Sequence, residues 1–392
     1  MKKRIIIVDC NAKIGGIQKA LIALLKQIYT IYDVTLLLLN KEGPLLKEIP
    51  EGVRVISTKS DFRYMGMAQA DCKKRGDKIR RAIYVLLCKC LGQKRAVMLA
   101  SLNLYKDNHE EYDAAISYSH MAGDKAFFGG TAQYVLKAIK AKRKICYIHC
   151  DYLNSGNRSK YSDQVYSKFD SIVCVSETVK KRFVEALPAM EDCTYAIYNP
   201  IDEASIIQQA YKNTVKYDRA YINIVSIARL SEEKGIGRFI EILSRVDQSV
   251  FRYYVVGDGI ERMHLENRVK ELELEQVVTF CGEESNPYRY MLEADLLVVP
   301  SLHEAAPVVF QEAKIIGLPV LTTRTTSAEE MIGTNYGFVV DNSDDALLEA
   351  IVKIQNNMAV VKEYRNRIKG YHCDDLNNDS IEKLLRVFNG TI

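Results

Sequence analysis

The chain has 392 residues, 48% of them apolar and 27% charged, a balance typical of a soluble globular protein and long enough for two domains with a core each. Its net charge of +4 makes the overall field weak, so where the basic residues cluster matters more than their sum. Ten scattered cysteines with no CxxC pair argue against a disulfide framework and suit a reducing cytosol, and no apolar run approaches the about 20 residues that cross a bilayer.

Taken in chain order, residues 5–8 are an apolar run, too short for a signal peptide, that predicts a buried strand ending at Asp9. After Gly15-Gly16, residues Ile17, Leu21, Leu24, Leu25 and Ile28 recur at helical spacing. Further strands are predicted over 34–39, 53–56, 114–117, 144–148 and 172–175. Residues 73–95 carry nine Lys or Arg against one acid, Asp77, with Ile79, Ile83, Leu86, Leu87 and Cys90 on one helical face. A basic amphipathic helix suits an anionic membrane surface; it equally suits a domain helix with a solvated basic side. No aromatic platform accompanies the charge, so nucleic acid is the weaker reading.

The pattern pauses at Asn199-Pro200, and the polar, Lys- and Asp-rich stretch 202–219 reads as a domain boundary. A second series follows, with strands over 222–227, 253–256, 277–280, 296–299, 319–322 and 338–340, helices from Gly235, Glu261 and Val308, and a helical tail from Asp344. Fully apolar strands alternating with helices predict parallel sheets covered on both faces, hence an α/β chain of two doubly wound Rossmann-like domains. The expected domains are 1–200, 201–375 and a carboxyl-terminal helix over 376–392 packing back on the first.

Four segments carry candidate chemistry. In residues 300–320 the fourth strand of the second series ends in a loop that opens a helix near Pro307, where proline fits the first turn. Glu304, just before the helix, and Glu312, inside it, are eight residues apart and expected about two turns apart along one side, as carboxylates that accept hydrogen bonds from sugar and ribose hydroxyls. Backbone N–H groups around Ala305, Ala306, Pro307 and Val308 favour an anion. The second segment places Arg229 and Lys234 where strand ends feed a ligand crevice, two cations able to neutralise a diphosphate. The third is the Gly15-Gly16 turn, open to close approach by a phosphate but equally a plain tight turn. The fourth is His149 at a strand end, suited to a sugar hydroxyl, with His303 and then His120 ranked behind it. No carboxylate pair or His/Cys spacing indicates a metal.

Together these residues resemble the large family of retaining glycosyltransferases with the GT-B architecture, two Rossmann-like domains with a cleft between them, that serves bacterial polysaccharide and glycolipid assembly. Glu304 to Glu312 is similar to its E-x7-E motif, Arg229 to Lys234-Gly235 to its phosphate motif, and Gly15-Gly16 to its amino-domain glycine loop. Gly257, Phe280-Cys281, Val175-Ser176 and residues 198–202 also match. The resemblance is clearest over 220–342 and faint over 57–112.

It implies that Arg229 and Lys234 hold the donor diphosphate, Glu312 the ribose and Glu304 the transferred sugar. Gly16 would offer its amide to the phosphate, His149 would meet the sugar, and the Phe280–Cys281 segment would flank the base. Where the family often has Gly-Phe or Gly-aliphatic, Ala305-Ala306 narrows the space beside the sugar. The expected function is transfer of a hexose or N-acetylhexosamine from a nucleotide-sugar, UDP favoured, to a saccharide or lipid-linked acceptor. No metal or cofactor is expected, and the expected place is the cytoplasm or the inner membrane face. An epimerase or phosphorylase of the same fold, a dinucleotide-dependent oxidoreductase and a non-catalytic nucleotide-sugar-binding subunit are the alternatives; the first strand lacks the GxGxxG of the oxidoreductase.

Overall fold

Strands that read as unbroken apolar runs are shared between two parallel sheets, each in its own unit. The computed structural model describes residues 2–107 and 110–391. It divides into Met1–Pro200 with Leu376–Ile392, and Ile201–Asp375.

The amino-terminal unit runs β1 (Arg4–Asp9), α1 (Gly16–Ile28), β2 (Asp33–Leu38), β3 (Arg54–Ser57), α2 (Arg75–Leu91), α3 (Gln93–Ala100), β4 (Tyr112–Ser117), α4 (Thr131–Ala138), β5 (Ala141–Ile148), α5 (Lys160–Tyr166), β6 (Ser171–Cys174), α6 (Glu177–Ala186) and β7 (Thr194–Ala196). Its sheet has the order β3-β2-β1-β4-β5-β6-β7, every neighbour parallel. The residues from Ile5 to Val8 are almost wholly buried, as a strand covered on both faces requires. The chain order reverses between β1 and β4, which pair with Ile5 opposite Ala114.

The second unit runs α7 (Glu203–Tyr211), β8 (Ile222–Ile227), α8 (Ile236–Leu243), β9 (Phe251–Val256), α9 (Arg262–Glu271), β10 (Val278–Gly282), α10 (Tyr288–Met291), β11 (Leu296–Val299), α11 (Val308–Ile316), β12 (Val320–Thr323), α12 (Ala328–Met331), β13 (Gly337–Val340), α13 (Asp344–Asn356) and α14 (Ala359–Ile368). Its parallel sheet has the order β10-β9-β8-β11-β12-β13 and reverses between β8 and β11. One core cluster packs α8, α9 and α13 on one face through Phe239, Leu265, Leu347 and Ile351; another packs α7, α10 and α11 on the other through Ile206, Met291 and Phe310. The last helix, α15 (Asp374–Asn389), belongs to the amino-terminal unit from Leu376 onward. There Phe388 meets Tyr32 edge-on with ring centres 5.9 Å apart, and Lys3 Nζ donates to Asn389 Oδ1 at 2.7 Å.

Three sequence readings change. The stretch 202–219 is more than a boundary: it holds α7, capped by Asp202 accepting from Ser205 N at 3.0 Å, with Ile206 and Ala210 buried one turn apart. The basic segment 73–95 is two helices, parted at Gly92, whose φ of 80° suits glycine. Its apolar face points outward; α2 is seated instead by Tyr84 and Cys88 on the opposite side. Strand β7 gave no apolar run in the sequence, because only three residues pair.

Candidate functional site

In an open α/β sheet, ligands gather beyond the carboxyl ends of the strands where the chain order reverses. In the second unit that point lies between β8 and β11, and the loops there are the segments holding Arg229–Lys234 and Glu304. The two loops are joined by backbone: Leu302 N donates to Glu233 O at 2.9 Å. Gly235, with φ of 66°, lets them meet, since a Cβ there would lie 2.0 Å from Pro300 O. The β9 loop closes on the same place. Leu230 N donates to Asp258 O at 2.9 Å, and Gly257, with φ of 142°, leaves room for Ala228 O, which would lie 1.8 Å from any Cβ.

Side chains complete the centre. Lys234 Nζ donates to Glu304 Oε1 at 2.6 Å, both side chains being largely shielded from solvent. Ser301 Oγ donates to the same oxygen at 3.1 Å. The Ser301 carbonyl in turn accepts from Thr323 Oγ1 at 2.5 Å, which ties the loop to β12. Arg229 is exposed, and its guanidinium pairs with Glu233 at 2.8 Å rather than with Glu304. Burial pushes the Glu233 carboxyl up, but Ser231, its own N–H and Arg229 outweigh this and leave it below the ordinary value.

The two glutamates do not share a helix. Glu304 lies in the loop four residues ahead of Val308, so an eight-residue helical spacing does not relate it to Glu312. Pro307, with ψ of 124°, is the cap residue and not the first helical one. No side chain caps this end; Phe310 N donates to Pro307 O at 3.2 Å, which leaves the N–H groups of Val308 and Val309 facing outward from the helix start. Ala305 and Pro307 are buried, and Ala306 and Val308 pack against the core. Glu312 is buried in α11 and accepts from Tyr288 OH at 2.8 Å. Phe280 and Cys281 lie at the irregular end of β10, packed against opposite core clusters; burial raises the Cys281 thiol. His303 is exposed in the same loop.

In the amino-terminal unit the sheet reverses between β1 and β4. Gly15 caps α1 in extended conformation and Gly16 opens it, exposed and without a side-chain cap. Asp9 is fully buried at the end of β1, where it accepts from Ser119 Oγ and, at 3.2 Å, from Gln18 Nε2. Burial raises its carboxyl above the ordinary value against these donors. His149 follows β5, stacked on Tyr147 and close to Tyr118. Burial, then the neighbouring His120, lowers its pKa to about 3, so the ring is neutral. The Tyr118 backbone accepts from the ring, and Nε2 has no partner among the described residues. A neutral imidazole whose one nitrogen donates keeps a lone pair on the other.

Ser301 and Tyr288, which donate to Glu304 and Glu312, and the buried contact of Ser119 with Asp9 at the end of β1 are features that sequence reasoning missed. Among the described residues, no group of three or more His, Cys, Asp or Glu is placed to hold a metal ion.

Residues 208–372 match the family model of glycosyl transferases group 1. The chain is 32% identical over 142 residues to the amylovoran biosynthesis glycosyltransferase AmsK of Erwinia amylovora, covering 33% of this chain and 35% of AmsK. It is 24% identical over 208 residues, 52% of this chain and 56% of the relative, to the N-acetylgalactosamine-N,N'-diacetylbacillosaminyl-diphospho-undecaprenol 4-alpha-N-acetylgalactosaminyltransferase of Campylobacter jejuni. The chain thus spans between about a third and somewhat over half of these relatives' lengths. The crystal structure of Anabaena Alr3699/HepE in complex with UDP-glucose superposes with a TM-score of 0.68 at 18% identity, over 98% of this chain and 99% of the other. The fold is therefore that of the GT-B glycosyltransferases: α/β, with two parallel-sheet Rossmann-like domains.

Proposed function

We propose that the protein is a retaining glycosyltransferase of cell-surface polysaccharide assembly. It transfers a hexose or N-acetylhexosamine from a UDP-sugar to a saccharide or lipid-linked saccharide. The observation that carries this reading is the Lys234–Glu304 pair at the reversal point of the second sheet, inside the stretch that matches group 1 glycosyl transferases. The choice of UDP is supported by the UDP-glucose held by Alr3699/HepE, and the lipid-linked acceptor by the undecaprenol-linked substrate in the Campylobacter enzyme's name.

The bond from the sugar's anomeric carbon to the diphosphate breaks, and its electron pair stays on the phosphate oxygen. Positive charge grows on the carbon and negative charge on the leaving group. Lys234, Arg229 and the uncapped start of α11 at Val308 meet that negative charge, so the chain's own cations serve where other enzymes call on a metal. Each such contact in a water-poor site contributes about 2–4 kcal/mol to lowering the barrier. Glu304 orients the sugar through its hydroxyls, while Glu312, steadied by Tyr288, holds the ribose. The acceptor oxygen attacks on the face the diphosphate leaves, and its proton passes to the departing phosphate oxygen. In the amino-terminal unit, His149 accepts a hydrogen bond from a carbohydrate hydroxyl at Nε2, and the start of α1 at Gly15-Gly16 offers N–H groups to an anionic ester. Gly257, Phe280, Cys281 and the Ala305-Ala306 methyls border the donor.

A thermal-shift series with UDP, GDP, UDP-glucose and UDP-N-acetylglucosamine tests the donor. A ligand at 100 times its Kd adds about 2.7 kcal/mol. Stabilisation by none of them refutes the reading. Proton NMR of the first product tests retention, and an inverted anomeric centre refutes it.

A further inference from the structure

We infer that Asp9 and Gln18 brace the Gly15-Gly16 turn, so that both are positioning residues for the anionic ester that this turn receives. The inference rests on the donor reading above. Asp9 ends a strand whose preceding residues, Ile5 to Val8, are buried and apolar, and its own side chain is wholly buried. A buried carboxyl costs free energy that an aliphatic side chain in its place would not. What it gains are donors from two other parts of the fold. Ser119 Oγ, just beyond β4, donates to Asp9 Oδ1, and Gln18 Nε2, in the first turn of α1, donates to Oδ2 at 3.2 Å. One carboxyl thus ties the end of β4 to α1 at the point where the sheet reverses.

The Gln18 bond closes a ring of chain. Residues 10–17 leave β1, pass through Gly15-Gly16 and return to within a hydrogen bond of their start. The ring is pinned from outside as well: Asn11 Nδ2 donates to Gly66 O at 2.8 Å, Ala12 N to Glu42 O at 2.8 Å, and Leu45 N to Ala12 O at 3.1 Å. Gln18 is the third helical residue after the Gly15 cap, the position from which a side chain reaches back over the helix start. Here it does so. A Cβ on Gly15 would lie 2.7 Å from Gln18 Oε1, so a side chain at that position would push Gln18 off Asp9. Helix α1 has no side-chain cap and no acid in its first turn, which leaves its first N–H groups to face outward. The closed ring sets their direction. Dipoles fixed before the ligand arrives act without reorganisation, and a turn free to flex would lose that advantage.

The test compares the parent with Gln18→Leu, Asp9→Leu, Asp9→Asn and the double leucine variant, by UDP release from UDP-glucose and by the thermal shift with UDP-glucose. Gln18 is only partly buried. Its leucine variant is expected to keep the parent's melting temperature and to lose about tenfold or more in kcat. Asp9→Leu is expected to lose as much, and the double variant no more than either, because the brace acts as one unit. Asp9→Asn is expected to stay within about threefold of the parent, since its Oδ1 accepts from Gln18 while its Nδ2 donates to the Ser119 hydroxyl. A merely structural Asp9 would move the melting temperature of its own variants and leave Gln18→Leu at the parent rate. A Gln18→Leu enzyme within about twofold of the parent, or losses that multiply in the double variant, overturns the proposal. So does Asp9→Asn falling as far as Asp9→Leu. A parent that gains no stability from UDP-glucose sinks the donor reading and the brace with it; a stabilised parent with unaffected variants sinks the brace alone.

Discussion

Lys234 and Glu304, 70 residues apart in the chain, hold an ion pair at 2.6 Å that joins the loop after β8 to the loop after β11. The pair, the Ser301 hydroxyl and the backbone bond from Leu302 to Glu233 fix both before any ligand arrives. Preorganised charge of this kind acts without reorganisation cost at the moment of reaction.

Glu304→Gln keeps the shape of the site and removes one charge. It is expected to lower kcat for UDP release by about a hundredfold while leaving the thermal shift with UDP in place. Lys234→Met is expected to cost a similar factor, and the double variant to be far less than multiplicative, because the two residues act as one unit. Stopped turnover assays of the four proteins check this. A Glu304→Gln enzyme within about twofold of the parent would refute the assignment.

Tyr288→Phe removes the hydroxyl that donates to Glu312 Oε1 at 2.8 Å. The loss of one buried hydrogen bond to a carboxylate is expected to cost about 1.5–3 kcal/mol of stability. As Tyr288 acts through Glu312, KM for the donor is expected to rise about tenfold with kcat nearly unchanged. Equal falls in kcat and kcat/KM would place Tyr288 at the reacting atoms instead.

With its pKa lowered to about 3, chiefly by burial, His149 is uncharged throughout the range in which most enzymes are assayed. His149→Asn is expected to reduce kcat/KM by about tenfold to a hundredfold, while the shape of the profile from about pH 5 to 8 stays that of the parent. A limb near the ordinary histidine value of 6.5 in the parent, absent from the variant, would contradict a neutral role.

Lys314, buried on α11, lies between Tyr336 and Tyr371 and donates to Met331 O at 3.2 Å. Burial lowers its pKa from 10.5 to about 8. Between those values the unfolded chain binds more protons than the folded one, so this residue makes stability rise with pH from about 8 toward 10.5 and adds no slope below. Urea unfolding of the parent and of Lys314→Met is expected to diverge by up to about 1.4 kcal/mol per pH unit in that window. Parallel curves would show that the ammonium is not desolvated.

The sheets were readable because their strands are apolar on both faces, which leaves runs such as Ile5 to Val8 that no surface helix imitates. Lys234 and Glu304 were readable because each follows such a strand. The direction of α2 was not: periodicity identifies an apolar face but not whether that face turns in or out, and only Tyr84 and Cys88 settle it. The partner of Glu312 was hidden because α10 and α11 meet across 24 residues of chain, with no local pattern linking them. The pairing of Arg229 with Glu233, four residues on, was not legible either, because the loop that brings them together carries no periodic pattern.

The return of α15 to the first unit shapes how the chain matures on the ribosome. The second unit is continuous from Ile201 to Asp375, so all its parts have emerged while the first still lacks a piece. Leu384, Val387 and Phe388 are buried there, so Tyr32 and the apolar surface around it stay uncovered until the last helix emerges. The half synthesised first is thus the half completed last, and a nascent chain stalled before Leu376 would present an open amino-terminal core to chaperones.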